Sequence, residues 1–263
     1  MILSLKNISY SFSANNKGFC ILDGLNMEIE RGKVTAIIGG NGSGKTTLFN
    51  ILSGLIDGYD GEVLYYLEEE NKGLNLRRNK NARKQIGRLF QNKGLFPNLS
   101  LLENMKISSS DTTGEIPFSY FIRRKKLNKI ETAKTKNAVK VLISILGEDN
   151  PYIDKLNKKG SEFSYGEQRL LSMAALAMGQ YKLWLLDEPT AGVNPYYIAN
   201  MKNVIKYMCE TGGSILLVEH NMQFVEEVAD TVAYLEDGKI ACLGKSKDVL
   251  NNQNVKDSYM GLK

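Results

Sequence analysis

The sequence predicts an α/β fold: a parallel sheet covered by helices on both faces, with an all-helical segment inserted between its two halves. Three observations carry this expectation. Short, continuously apolar runs at Val34–Ile38, Leu183–Leu186 and Ile215–Val218 read as strands buried on both faces. Segments with apolar residues at helical spacing alternate with these runs, as a parallel sheet requires. From about Leu101 to Met178 the strand signal gives way to helical periodicity.

The elements follow in order. Ile2, Leu3, Leu5 and Ile8 lead to Tyr10 and Phe12 in a strand-like opening, and a loop is expected at Ala14–Gly18. Val34–Ile38 feeds directly into a glycine-rich turn, after which Leu48, Ile51, Leu52 and Leu55 have helical spacing. Gly58–Gly61 ends this unit, and the polar, asparagine- and lysine-rich stretch from Glu68 to Lys84 reads as a surface loop. In the helical region Ala138, Val141, Leu142, Ile145 and Leu146 make one apolar stripe, and Leu170, Leu171, Ala174 and Met178 make another. The helix between the two late strands carries Tyr197, Met201, Val204, Ile205 and Met208 on one face. Val232–Leu235 and Lys239–Leu243 flank Asp237-Gly238, a strong hairpin signal. No internal repeat is visible.

Composition narrows the class. A chain of 263 residues, 43% apolar and 24% charged, has the profile of a soluble globular protein with a substantial core. The 34 basic and 29 acidic residues leave a net charge of only +5, and the Arg123–Lys129 stretch reads as a solvated face rather than a nucleic-acid patch. Cys20, Cys209 and Cys242 form no Cys-x-x-Cys pair, which speaks against a metal cluster and fits a reducing cytoplasm. No apolar run approaches the roughly 18 residues that span a bilayer. Met1–Phe12 has no basic stretch leading into an apolar one, so it is not expected to be a signal peptide. Any membrane role is expected to come from docking to another subunit.

The chemistry starts at the glycine-rich turn. Gly39-Gly40-Asn41-Gly42-Ser43-Gly44-Lys45-Thr46-Thr47 matches G-x-x-x-x-G-K-[ST], between an expected strand and an expected helix. Glycines let backbone N–H groups curl around phosphate oxygens that a Cβ would obstruct. The helix N-terminus adds a partial positive charge of about half a unit. Gly40, Asn41, Gly42, Ser43, Gly44, Lys45, Thr46 and Thr47 are therefore the candidate nucleotide-binding residues. Lys45 is expected to reach the β and γ phosphates, and the Thr46 hydroxyl to ligate Mg²⁺. Kinases, GTPases, helicases and transporters all use such a turn, so the residues downstream of it must decide between them.

Leu183-Trp184-Leu185-Leu186-Asp187-Glu188 is an expected buried strand ending in two acids. Asp187 is placed to hold the Mg²⁺ shell, and Glu188 to polarise a water for in-line attack on the γ-phosphate. Taken alone, two acids at a strand end are often solvated turn residues; beside an intact phosphate turn they read as catalytic. Ser164-Tyr165-Gly166-Glu167-Gln168 precedes an expected helix shortly before that strand, where Ser164 would also serve as a plain N-cap.

In that order these motifs resemble the ABC ATPases, Ser164–Gln168 being similar to their signature sequence. The resemblance covers nearly the whole chain. Phe90-Gln91 with Leu95-Phe96-Pro97 and Glu103-Asn104 is similar to the Q-loop region, Gln91 being its glutamine. Pro189–Pro195 resembles the D-loop, and Glu219-His220 the switch histidine; His220 is the only histidine in the chain. Phe12 falls where the family places an aromatic that stacks on adenine. Within the superfamily, Phe90-Gln91-Asn92, Ala191–Pro195, Glu219-His220-Asn221-Met222 and the tail Asp257–Gly261 look most like branched-chain amino-acid importer cassettes. Departures are Tyr165 for the first glycine of the signature pair, Phe163 for the leucine before it, and Asn194 for the D-loop aspartate.

The resemblance implies a P-loop NTPase (RecA-like) parallel sheet core with an N-terminal antiparallel β subdomain and an inserted α-helical subdomain. It implies one ABC ATPase domain over 1–263, with a catalytic core at 1–92 and 179–263 and a helical subdomain at 93–178. The implied activity is ATP hydrolysis with ATP and Mg²⁺, with Glu188, His220, Lys45 and Gln91 catalytic. Phe12 and the Gly40–Thr47 turn would bind nucleotide together with Ser164, Gly166 and Glu167; Thr46, Gln91 and Asp187 would serve the metal. In the family the signature of one cassette closes over the nucleotide of another, its own cradle facing away. The implied partners are therefore a second cassette, identical or similar, and transmembrane permease subunits, with no nucleic acid. The implied place is the cytoplasmic face of the membrane. Uptake of branched-chain or other hydrophobic amino acids is the expected process; a lipopolysaccharide-type exporter, a urea importer, a non-transport ABC ATPase and a catalytically weak regulatory cassette are the alternatives.

Overall fold

The computed structural model describes residues 1–14, 17–67, 73–91, 94–108 and 124–259. Asn92, Arg123, Met260, Gly261 and the first part of the expected 68–84 loop lie outside them. The chain divides into two compact units. The first comprises Met1–Gln91, Tyr181–Ala191 and Gly212–Lys263; the second comprises Asn92–Gln180 and Gly192–Thr211.

The first unit holds two sheets. One is antiparallel, in the order β2-β1-β4-β5, built from β1 (Leu3–Ala14), β2 (Lys17–Ile29), β4 (Asp60–Tyr65) and the short β5 (Leu74–Asn75). The other runs β10-β9-β3-β8-β7-β6, with β3 (Val34–Ile38), β6 (Ile86–Leu89), β7 (Leu183–Asp187), β8 (Ser214–Val218), β9 (Thr231–Glu236) and β10 (Lys239–Lys245). Its strands are parallel except for β10, which turns back on β9. β3, β7 and β8 are buried at every position, as continuous apolar runs require in a sheet covered on both faces. Asp237 and Gly238 both have positive φ, 47° and 75°, the backbone of the tight hairpin that their pairing predicts. Leu3, Leu5, Leu22 and Val63 from the first sheet pack into one core with Leu185, Leu216 and Leu235 from the second and with Leu48 and Phe49 of α1 (Lys45–Leu52).

Three local expectations are corrected. Ala14 belongs to β1 and Lys17 and Gly18 to β2, so the strands run further into the expected Ala14–Gly18 loop. Leu55 lies beyond α1 and is 63% exposed, because the helix ends at Leu52 with Ser53 as its cap. The 73–84 part of the expected surface loop contains β5 and α2 (Lys80–Arg83), with Leu76 and Ala82 buried. Asn79 caps α2 by accepting from the N–H groups of Asn81 and Ala82, so a four-residue helix stands without any periodicity to announce it. The unit is completed by α7 (Met222–Val228), α8 (Ser246–Leu250) and α9 (Gln253–Tyr259).

The second unit is helical. It contains α3 (Leu101–Ile107), α4 (Arg124–Leu146), a 3₁₀ turn at Gly160–Glu162, α5 (Tyr165–Ala177) and α6 (Pro195–Glu210). The stripes Ala138, Val141, Leu142, Ile145 and Leu170, Leu171, Ala174, Met178 are buried, as are Met201, Val204, Ile205 and Met208. α5 packs against α3, α4 and α6. α6 thus clusters with the helices, although it lies within the 179–263 stretch that the sequence reading groups with the core.

Candidate functional site

The site grows out of the end of β3. At Gly39 the backbone passes so close to β9 that a Cβ would lie 2.2 Å from the carbonyl oxygen of Leu235. At Gly44, the N-cap of α1, φ is +106° and a Cβ would meet Leu22 Cδ2 at 2.7 Å. Both positions demand glycine, and between them the chain turns back on itself. α1 has no side-chain cap and no acidic residue in its first turn, so its leading N–H groups and dipole are open to an anion.

Lys45 is nearly buried and folds back over the turn, donating from Nζ to the carbonyls of Gly39 and Gly40, each at 2.8 Å. Burial lowers its pKa below the ordinary lysine range, and the charges of Glu188 and Asp187 partly offset this.

A pocket of about 320 Å³ opens over this turn. Asn41 through Thr47 form its floor, Glu188 and His220 one wall, and Phe19 and Ile21 another. Gly40 and Phe12 are not among the lining residues. Phe12 instead pairs across the β1–β2 hairpin with Phe19, and both rings are exposed, by 57% and 71%. Directly opposed residues in an antiparallel pair share a face, and that register is the signal through which Phe19 is found.

β7 delivers Asp187 and Glu188 to this region. Asp187, 2% exposed, closes the strand. Glu188 then turns into the left-handed region with φ +45°, a conformation costing roughly 1–2 kcal/mol for a residue with a Cβ. This reversal places its carboxylate between two partners. Gln91 Nε2 donates to Oε2 at 2.5 Å, and His220 Nε2 lies 3.2 Å from Oε1. Sequence reasoning names all three residues; the structure brings them together.

Two further residues organise this wall. Glu219, 2% exposed, accepts from the N–H of Thr190 at 2.8 Å through Oε1 and from the N–H groups of His220 and Asn221 through Oε2. One carboxylate thereby ties the segment after Glu188 to the segment that carries His220. Arg88, on β6, pairs with Asp187 at 2.9 Å, with both side chains nearly inaccessible. Removing one partner of a buried pair of this kind costs about 3–5 kcal/mol. Nothing in the residue types around Arg88 marks it beforehand.

The second unit holds the Ser164–Glu167 segment. Ser164 caps α5: its Oγ accepts from the Glu167 N–H at 3.4 Å, and Glu167 Oε2 accepts from the Ser164 N–H at 2.9 Å. At Gly166 a Cβ would come within 2.5 Å of the Tyr197 ring, so glycine is needed there for packing on α6. The Tyr165 ring is 55% exposed. Asn194 caps α6 through the Tyr196 N–H at 2.9 Å.

Among the described residues no group of three or more His, Cys, Asp or Glu forms a metal cluster, and no helix is long and apolar enough to cross a membrane. The Thr46 hydroxyl, the Gln91 amide oxygen and the Asp187 carboxylate offer oxygen chemistry suited to Mg²⁺, which ordinarily takes one or two protein carboxylates plus substrate phosphates.

The comparisons with known proteins agree with this geometry. The model of the ABC transporter family matches residues 22–191. The high-affinity branched-chain amino acid transport ATP-binding protein BraF of Pseudomonas aeruginosa is 29% identical over 99% of this chain and 98% of its own length. The probable branched-chain amino acid transport ATP-binding protein LivG of Archaeoglobus fulgidus is 31% identical over 99% of this chain and 95% of its own. Among solved structures, a nucleotide-free ATP-binding cassette from an ABC transporter superposes with a TM-score of 0.77 at 28% identity, covering 98% of both chains. A dimeric cassette bound to ADP and Pi, 22% identical with a TM-score of 0.71, shares the fold. With the phosphate turn and the paired acids inside the matched residues, and His220 brought to the same unit beyond them, the chain belongs to the ABC transporter family, as an ATP-binding cassette that hydrolyses ATP.

Proposed function

We propose that this cassette works as one of a pair on the cytoplasmic face of the membrane, driving uptake of branched-chain or related hydrophobic amino acids through permease subunits. The observation that carries the reading is the Gln91–Glu188–His220 contact set beside the phosphate turn. The amino-acid assignment rests on what the relatives from Pseudomonas aeruginosa and Archaeoglobus fulgidus are named for.

In this mechanism the turn and the α1 N-terminus hold the triphosphate, and Lys45 exchanges its two loop carbonyls for phosphate oxygens. Glu188 takes a proton from a water whose oxygen attacks the γ-phosphorus in line. The bond from phosphorus to the β–γ bridging oxygen breaks, and ADP leaves with that electron pair. Gln91 and His220 fix the Glu188 carboxylate before substrate arrives; His220 then faces the γ-phosphate. Thr46, Asp187 and Gln91 would hold Mg²⁺, which neutralises developing phosphate charge. The platform for adenine is the Phe12–Phe19 face. Ser164 and Gly166 of a second cassette complete the site, so each active unit contains two such sites.

The test uses Glu188→Gln. The substitution keeps the shape and removes the base, so phosphate release should fall by about 10²–10⁴-fold. Size-exclusion chromatography with ATP and Mg²⁺ should show a stable dimer of the variant. Unchanged hydrolysis would remove Glu188 from the role of base. Purification of the tagged chain from membranes should bring permease subunits with it; recovery with ribosomes instead would overturn the transport reading.

A further inference from the structure

We propose that Arg88 is a positioning residue for the metal side of the nucleotide site, holding the Asp187 carboxylate in register with α1. The inference rests on the reading of Asp187 as part of the Mg²⁺ shell.

The placement follows from strand geometry. Arg88 is the third residue of β6 and stands opposite Leu185 in the parallel β6–β7 register. Side chains two apart on a strand share a face, so Arg88, Leu185 and Asp187 belong to the same side of the sheet. Asn50 of α1 and Ser53, the cap at its end, lie there three residues apart and hence on one face.

The guanidinium joins all three elements. Nη1 donates to Asn50 Oδ1 and to Ser53 Oγ, both at 2.8 Å, and Nη2 donates to Asp187 Oδ2 at 2.9 Å. Its orientation is fixed by the Phe90 ring, 4.6 Å from Cζ, and by the Phe49 ring at 5.6 Å. Ser53 Oγ is itself committed to the Phe49 carbonyl at 2.8 Å, so the helix side of the contact is settled. A planar fork between two aromatic rings is a rigid spacer. It sets how far the Asp187 carboxylate stands from the helix that begins with Lys45 and Thr46. It also sits three residues before Gln91, on the same strand exit. No lysine reproduces this, because one ammonium on a flexible stem cannot serve the helix and the carboxylate from fixed directions.

The experiment measures ADP affinity of the purified chain with excess Mg²⁺ and with EDTA, for the parent, Arg88→Lys, Arg88→Gln and Asp187→Asn, alongside thermal unfolding. Outer-shell partners of metal ligands typically contribute 10–100-fold to metal affinity, so Arg88→Lys should lose about tenfold of the Mg²⁺-dependent tightening. Its affinity in EDTA should be unchanged. Arg88→Gln should lose more, and Arg88→Lys carries the test if the glutamine variant unfolds. Full Mg²⁺ tightening in Arg88→Lys, with tightening lost in Asp187→Asn, would overturn the positioning role alone. Equal loss with and without the metal would show a merely structural residue and overturn it as well. Full tightening in Asp187→Asn would overturn the reading of Asp187 itself, and the role of Arg88 with it.

Discussion

The starts of α1 and α5 are both glycine-bearing helix N-termini, yet they are finished in opposite ways. α1 begins at a left-handed Gly44 with no side-chain cap and no acid in its first turn. α5 begins at Ser164 with a complete capping box, its Glu167 carboxylate already on the Ser164 N–H. The first leaves its N–H groups open; the second satisfies those of Ser164 and Glu167 with its own side chains and adds a negative charge where an anion would approach. The difference teaches that the start of α1 keeps donors open to an anion, whereas the start of α5 is already occupied by its own cap.

The comparison can be broken at several points. Gly44→Ala should do most damage: the left-handed backbone alone is worth roughly 1–2 kcal/mol against a Cβ, and that atom would press on Leu22 at 2.7 Å. Binding of ADP by the single chain should be abolished, as read by equilibrium dialysis; retained binding would show that the turn is not held as rigidly as its packing implies. Next comes pH. Burial holds Lys45 below the ordinary lysine range, and phosphate would favour its charged form, so binding takes up a proton only above that lowered pKa. Affinity should therefore be flat below that lowered pKa and fall above it, by up to about tenfold per pH unit. Dissociation constants between about pH 7 and pH 10 measure this, with Lys45→Arg as the control that stays charged. A decline shared by Lys45→Arg would assign the titration to another group. The smallest effect is expected at Ser164→Ala, which removes a cap worth about 1 kcal/mol. Unfolding should shift by roughly 2–4 °C, with ADP binding by the single chain unaltered. A loss of binding there as large as that of Gly44→Ala would erase the distinction.

How much was legible in the sequence depends on the range of the forces involved. The phosphate turn announces itself because strand, glycines, lysine and helix are contiguous, and their chemistry needs no distant partner. The Asp237-Gly238 hairpin is readable for the same reason. Ser164 reads only as a cap by its own chemistry; its larger meaning comes from the order of motifs, since its geometry is that of any capped helix. Arg88 was missed because its role depends on β6 lying beside β7 in one register and on α1 covering that face, three segments far apart in sequence. Phe19 was missed because β1 and β2 run further into the expected Ala14–Gly18 loop, which makes Phe19 the cross-strand partner of Phe12. Leu76 and Ala82 are buried within a stretch too short for any period to appear.

The left-handed Glu188 places function and durability in opposition. Among residues with a side chain, Asn tolerates that backbone best, and Gly occupies it freely. Gly or Asn at position 188 would relax that backbone, at the loss of the contacts with Gln91 and His220. On the proposed reading of Glu188 as the base, a demand for turnover keeps the glutamate there. On that reading, position 188 is where a heat-hardened descendant that no longer cleaves ATP is expected to carry its lesion.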